Sequence, residues 1–237
     1  MHIDAAIRSR KSVRRFLPHD IPQQVVEHIL EVAARAPSGS NVQPWHVHVL
    51  TGSAKQALCD DIQQAAKEQA GEHSAEYRYY PDDWFEPYLS RRRTIGFDLY
   101  DTLGITREDV EARERQHLRN FQFFAAPVGL LISLDRRLNI GSYMDVGMFI
   151  QNIMLAARGQ GLHTCPQAAF AWYHKVVRQH VPMAENDILV CGIALGHEDR
   201  SAPENALETE REPVAGFTTF LGFEEQHERV SLRPLTA

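Results

Sequence analysis

The sequence has little cysteine and no long apolar run. Three cysteines in 237 residues, Cys59, Cys165 and Cys191, form no CxxC pair and no disulfide framework, which excludes a small stapled scaffold. No apolar stretch reaches the roughly 18 residues of a membrane span, and the charged N-terminus is not followed by the apolar core of a signal peptide. A reduced, cytoplasmic setting is the expectation. There is no HExxH, no Cys/His cluster with zinc spacing, no GxGxxG and no GxxxxGK[ST], so neither a metal centre nor a Gly-rich nucleotide loop is expected. A net charge of -6 argues against a general nucleic-acid binder. Repeats, low-complexity segments and linkers are also missing, so one domain spanning residues 1–237 is expected.

What is present is a loop between two periodic segments: Pro37, Ser38, Gly39, Ser40, Asn41, Val42, Gln43, Pro44 and Trp45. Two prolines restrict it, short polar residues free its amides, and Gln43 both donates and accepts, while Trp45 can anchor it in apolar packing. This composition suits a flat, polar-edged ligand and also suits an ordinary turn. Upstream lies the basic run Arg10, Lys11, Ser12, Val13, Arg14, Arg15. Cations beside a hydroxyl fit a terminal phosphate; a solvated basic turn has the same composition.

Together these two elements resemble the FMN-dependent nitroreductase family, which opens on Arg-Arg-Ser-x-Arg-x-Phe and carries a Pro-Ser-x-x-Asn-x-Gln-Pro-Trp loop. Lys11 replaces the second arginine and keeps its charge. A third family-like element is Gly161-Leu162-His163-Thr164-Cys165-Pro166-Gln167, and a fourth is the closing segment with Arg211. The resemblance implies FMN held by Arg10, Lys11, Ser12, Arg14, Pro37, Ser38, Gly39, Ser40, Asn41, Gln43, Cys165, Pro166, Gln167, Ala168 and Arg211. NAD(P)H is implied as electron donor, and a nitroaromatic (a nitrobenzoate among them) or a quinone as acceptor. No side chain is implied as acid or nucleophile, since the flavin carries the chemistry. Cys165, with no Cys/His/Asn signature around it, reads as a small apolar residue.

The implied fold is α+β, a three-layer sandwich with a mixed, mostly antiparallel sheet flanked by helices, assembled as an intertwined homodimer. From the residues, helices are expected at 22–35, 53–69, 106–120 (Thr106 as N-cap), 142–158 and 168–181. Strands are expected at 45–50, 128–134 and 188–196. The apolar 142–158 helix must be covered on nearly all sides. The β-prone stretch 214–223, part of a tail around 212–225, is expected to add to a partner's sheet. Residues around 72–105 interleave aromatics with Arg91, Arg92 and Arg93. They read as a lid over a flat ligand, as a packed excursion, or as a single-strand stacking platform. The family places its variable insertion here, which makes Arg91, Arg92, Arg93, Tyr100 and Phe123 candidate substrate contacts, with Asp82, Asp83 and Glu86 as counter-charges. A reductive dehalogenase or flavin reductase on the same fold, and a non-catalytic FMN-binding protein, are the competing readings.

Overall fold

Two apolar faces of one sheet organise the chain. In the computed structural model, which describes residues 1–69 and 71–223, strands β1 (His46–Leu50), β2 (Val128–Asp135), β3 (His163–Gln167) and β4 (Asp187–Gly196) lie in the order β1-β2-β4-β3. All three pairings are antiparallel, and the parallel contribution is a bridge from Ser12 to Thr164.

The helices are α1 (Ile3–Ser9), α2 (Gln23–Ala33), α3 (Gly52–Glu68), α4 (Tyr88–Thr102), α5 (Val110–Leu118), α6 (Ile140–Gly159), α7 (His174–His180) and the single turn α8 (Val214–Phe217). Val26, Ile29 and Ala33 of α2 and Val146, Phe149, Ile153 and Ala157 of α6 pack on Leu130, Ile132, Ile193 and Leu195. On the opposite face, α3 and α7 pack Leu58, Ile62 and Val177 with Leu131, Leu189 and Ala194. Alternating strand residues serve opposite layers, which is why the central strands are apolar without interruption.

One irregularity matters for the site. Ile132 pairs with Cys191 but Ser133 with Leu189, so Val190 is an extra residue bulged out of the ladder. Its carbonyl accepts a 2.5 Å hydrogen bond from the Tyr77 hydroxyl, which draws residue 77 onto the sheet.

Several expected elements are redrawn. The helix expected from Thr106 begins at Val110, because the Asp109 carboxylate caps it by accepting from the Ala112 amide at 2.9 Å. The expected 168–181 helix is a 3-10 turn, Ala168–Tyr173, followed by α7. The 72–105 segment holds helix α4, whose apolar residues are too few and scattered to predict it. The stretch expected as a strand from Val214 is helical over Val214–Phe217, and no strand follows among the described residues up to 223. Within one chain it finds no sheet edge, and Phe217, Phe220, Leu221 and Phe223 stay exposed. Residues 224 and 225 of the expected tail lie outside the described residues. No helix of the described residues is long and apolar enough to cross a membrane.

Candidate FMN and substrate site

The basic run leaves α1 in extended conformation and is tied down at its main chain. The Val13 amide donates to the Thr164 carbonyl at 3.1 Å, which places the run along β3. Asn205, in the turn Pro203–Asn205, holds its other edge: Oδ1 accepts from the Arg14 amide at 2.8 Å, and Nδ2 donates to the carbonyls of Arg15 at 2.8 Å and Asp199 at 2.9 Å. Beside it the buried Glu204 carboxylate accepts from Arg119 at 2.7 Å, and Arg119 also donates to the Arg14 carbonyl at 2.9 Å. Ser12 and Arg14 thus contribute main-chain fixation, with the Arg14 guanidinium turned back on the Ser12 carbonyl at 3.2 Å.

Held this way, Arg10 and Lys11 face a cleft of about 1180 Å³ with Arg158, Arg200, Asn205 and Arg211 in its walls. Lys11 is neutralised by Glu198 at 2.7 Å. Among the described residues neither Arg10 nor Arg211 has a carboxylate partner. Burial, followed by the nearby Arg211 charge, holds the Arg10 guanidinium below its ordinary value. Arg211 meanwhile donates to Thr209 Oγ1 at 2.6 Å. Two neighbouring cations in the wall of one large cleft, with no carboxylate partner among the described residues, fit a dianionic phosphate.

His163 lines the same cleft, where burial and then Arg158 push its pKa down to about 4. It accepts from Arg158 at 2.8 Å through Nε2, while Nδ1 is buried without a partner.

β3 carries the chain from this cleft to two others. Pro166 and Ala168 line both a cleft of about 730 Å³ and one of about 830 Å³, and Gln167 lines the second. The Gln167 side chain donates to the Asn120 carbonyl at 2.6 Å. Cys165 faces the core, not a cleft, and burial pushes its thiol up to about 11, which removes it as a nucleophile at neutral pH. Trp172 joins the larger of these two clefts, and Phe170 is core.

The Pro37–Gln43 loop sits elsewhere. None of its residues lines these clefts. It is strained and well anchored: Ser40, Asn41 and Gln43 adopt positive φ of 49°, 56° and 51°, each costing about 1–3 kcal/mol outside glycine. The Gly39 amide donates to the buried Asp145 carboxylate at 3.3 Å, Ser38 Oγ accepts from the Gln43 amide at 3.0 Å, and Gln43 Nε2 donates to the Asn41 carbonyl at 3.1 Å. Trp45 stacks on Phe149 at 4.6 Å, the anchoring expected of it. Pro37, Gly39, Ser40, Asn41 and Gln43 are exposed. One chain therefore presents the loop and the basic cleft as separate surfaces.

The substrate candidates fare worse. Phe123 is fully buried: a positive φ of 50° turns its ring under β2, where a Cβ at Gly129 would lie 2.6 Å from it, and it stacks on Phe170 at 4.3 Å. It is a core residue. Tyr100 faces Arg113, whose guanidinium lies 5.4 Å from its ring. Arg91 pairs with Glu212, Arg92 lies 4.8 Å over Trp84, and Arg93 is exposed; none lines the clefts beside Pro166. Of the expected counter-charges, Asp82 pairs with Arg78 and Glu86 accepts from Ser90 Oγ at 2.6 Å.

Sequence reasoning missed Asn205, Glu204, Arg119, Glu198 and Asp145 as supports. Asp145 had a signal, being the single acidic residue in the apolar helix α6. The others had none, because the contacts that tie them to the basic run, such as Asn205 to Arg14 and Arg119 to Glu204, join segments 191 and 85 positions apart.

Comparison with known proteins agrees with this geometry. The sequence profile of the nitroreductase family matches residues 7–197. The chain is 45% identical over 221 residues to a 4-nitrobenzoate reductase of Nocardioides sp. (strain LMS-CY), covering 92% of this chain and 89% of that one. It is 40% identical over 219 residues to a chloronitrobenzene nitroreductase of Comamonas testosteroni, covering 92% and 96%. The fold matches the FMN- and NADPH-dependent nitroreductase NfnB from Sphigopyxis sp. strain HMH with a TM-score of 0.91 at 34% identity, over 94% and 100% of the two chains. It matches the FMN-dependent NfnB from Mycobacterium smegmatis, solved with NADPH, with a TM-score of 0.87 at 29% identity, over 92% and 97%. With its α+β sandwich, its basic cleft at β3 and these full-length likenesses, the chain belongs to the nitroreductase family of oxidoreductases.

Proposed function

We propose that this chain is an NAD(P)H-dependent FMN oxidoreductase that reduces nitroaromatics, nitrobenzoates among them. The observation that carries the reading is the Arg10–Arg211 pair, without a carboxylate partner among the described residues, in the basic cleft at one end of β3, whose other end supplies Pro166 to the two further clefts. The pair supplies the grip for the FMN phosphate, and Asn205 holds the run that carries Arg10. When bound, FMN supplies two-electron hydride chemistry, taking electrons from a reduced nicotinamide and passing them to the nitro group. The polypeptide's part is to bind, orient and exclude water. Cys165 stays protonated in the core and takes no part in bond changes.

The loop Pro37–Gln43 belongs to the same reading through a second copy of the chain. Its strain and exposure suit a surface that meets a ligand in the partner's cleft. The apolar residues Ile3 and Ile7 of α1 and Ile140, Met144 and Met148 of α6 are exposed, as is the tail from Val214. So much apolar surface supports an intertwined homodimer in which loop and cleft from different copies complete one site. Residues 72–105 serve as the lid over that site.

The test is anaerobic mixing of the purified yellow protein with NADPH. Bleaching of the flavin absorbance within catalytic times, and its return on adding 4-nitrobenzoate, is the expected result. Flavin that stays oxidised would leave an FMN-binding protein without turnover and refute the oxidoreductase reading.

A further inference from the structure

The smaller of the two clefts beside Pro166 is lined by Tyr77, Tyr79, Tyr143, Val146, Ile150 and Cys191 among others, and Arg78 carries the only formal charge among its described lining residues. Burial pushes the Tyr77, Tyr79 and Tyr143 hydroxyls up, so they remain neutral. An apolar, aromatic-walled cleft with one cation selects a flat ligand with one anionic substituent. Arg78 also lines the larger cleft, so it stands on the rim that the two share.

The backbone on its N-terminal side is held firmly. Glu76 accepts a hydrogen bond from Arg136 at 2.8 Å, and His174 and Arg178 lie 3.3 Å and 3.8 Å from its other oxygen without bonding it. The Tyr77 hydroxyl is bonded to the bulged Val190 carbonyl. The Arg78 head itself is 80% exposed and, among the described residues, engages only Asp82, which is 75% exposed. An exposed pair of this kind is worth little and is readily exchanged for another carboxylate. By contrast, Arg91 is tied to Glu212 and Arg92 lies over Trp84, and neither lines this cleft.

Resting on the nitroaromatic reading above, we infer that Arg78 is the specificity-determining residue for acidic aromatic acceptors: it exchanges Asp82 for the substrate carboxylate while the ring lies against Tyr77 and Tyr79. A planar guanidinium matches a carboxylate bidentately, and an aromatic ring covering the pair removes water from it.

The experiment compares kcat/KM for 4-nitrobenzoate and neutral 4-nitrobenzamide in FMN-loaded wild type and in Arg78→Gln, Arg78→Lys, Asp82→Asn, Arg91→Gln and Arg93→Gln. Flavin reduction by NADPH is followed separately by stopped flow, because the nicotinamide donor is itself anionic. Wild type is expected to prefer the acid by about fivefold or more. Arg78→Gln brings the ratio near one, Arg78→Lys restores part of it, and Asp82→Asn raises it by freeing Arg78. An unchanged ratio in Arg78→Gln, or an equal loss in Arg91→Gln or Arg93→Gln, overturns the assignment. So does a wild type that reduces both acceptors equally, which leaves the nitroreductase reading standing. A wild type whose flavin NADPH reduces but which turns over neither acceptor defeats the nitroaromatic reading itself.

Discussion

Replacing Arg10 or Arg211 by glutamine should have opposite effects on the empty and the FMN-loaded protein. Empty, the site holds the Arg10 guanidinium below its usual pKa, by burial and then by the nearby Arg211 charge. Removing either charge relieves that repulsion, so the thermal midpoint of flavin-free protein should hold or rise. Loaded, each arginine offers a charge-assisted hydrogen bond worth about 1.5–3 kcal/mol. Losing one raises the FMN dissociation constant roughly 10- to 150-fold. At FMN equal to about 100 times the wild-type dissociation constant, ligand binding stabilises wild type by about 2.7 kcal/mol. A variant weakened about 100-fold gains only about 0.4 kcal/mol. For a chain of this size, the missing stabilisation of about 2.3 kcal/mol corresponds to roughly 5–9 °C of lost FMN-induced midpoint shift. Differential scanning fluorimetry with and without FMN, alongside a fluorescence titration, reads both quantities. If both variants show the full FMN shift, the phosphate does not lie between these two residues. A fall in the midpoint of the empty protein would show instead that the arginines support the fold.

Further outcomes follow from the same geometry. Asn205→Ala removes three main-chain hydrogen bonds and should cost about 3 kcal/mol, or roughly 6–12 °C in thermal midpoint; a loss under about 2 °C would show that the basic run holds itself. His163 is depressed to about 4, by burial and then by Arg158, so between about pH 4 and 6.5 the unfolded chain binds the extra proton and stability rises with pH. His163→Gln should flatten that rise, on the order of 3 kcal/mol when complete, against a background from His48 and His174, which shift the same way; urea midpoints from pH 4 to 7 that keep their slope in the variant refute it. Truncation after Pro213 should give monomers, aggregates or flavin-free protein, and a well-behaved flavin-loaded monomer by sedimentation would refute the role given to the tail.

Local chemistry carried much of this protein's design in the sequence. The buried strands Val128–Asp135 and Asp187–Gly196 announce themselves as apolar runs, and α6 as a helix apolar on most sides, because burial on both faces leaves no polar period to obscure them. The basic run and the Pro37–Trp45 loop were legible as short motifs. Tertiary structure decided the rest. The Val190 bulge is silent in a uniform apolar run, yet it pulls Tyr77 inward and sets Arg78 at a cleft rim. Phe123 resembles any aromatic near a ligand until its left-handed backbone turns the ring under Gly129. Lys11 and Arg10 are neighbours of like charge, and only the distant Glu198 neutralises one and leaves the other for a ligand. Period and propensity act over a few residues, whereas which charge is compensated depends on contacts between segments nearly 200 positions apart.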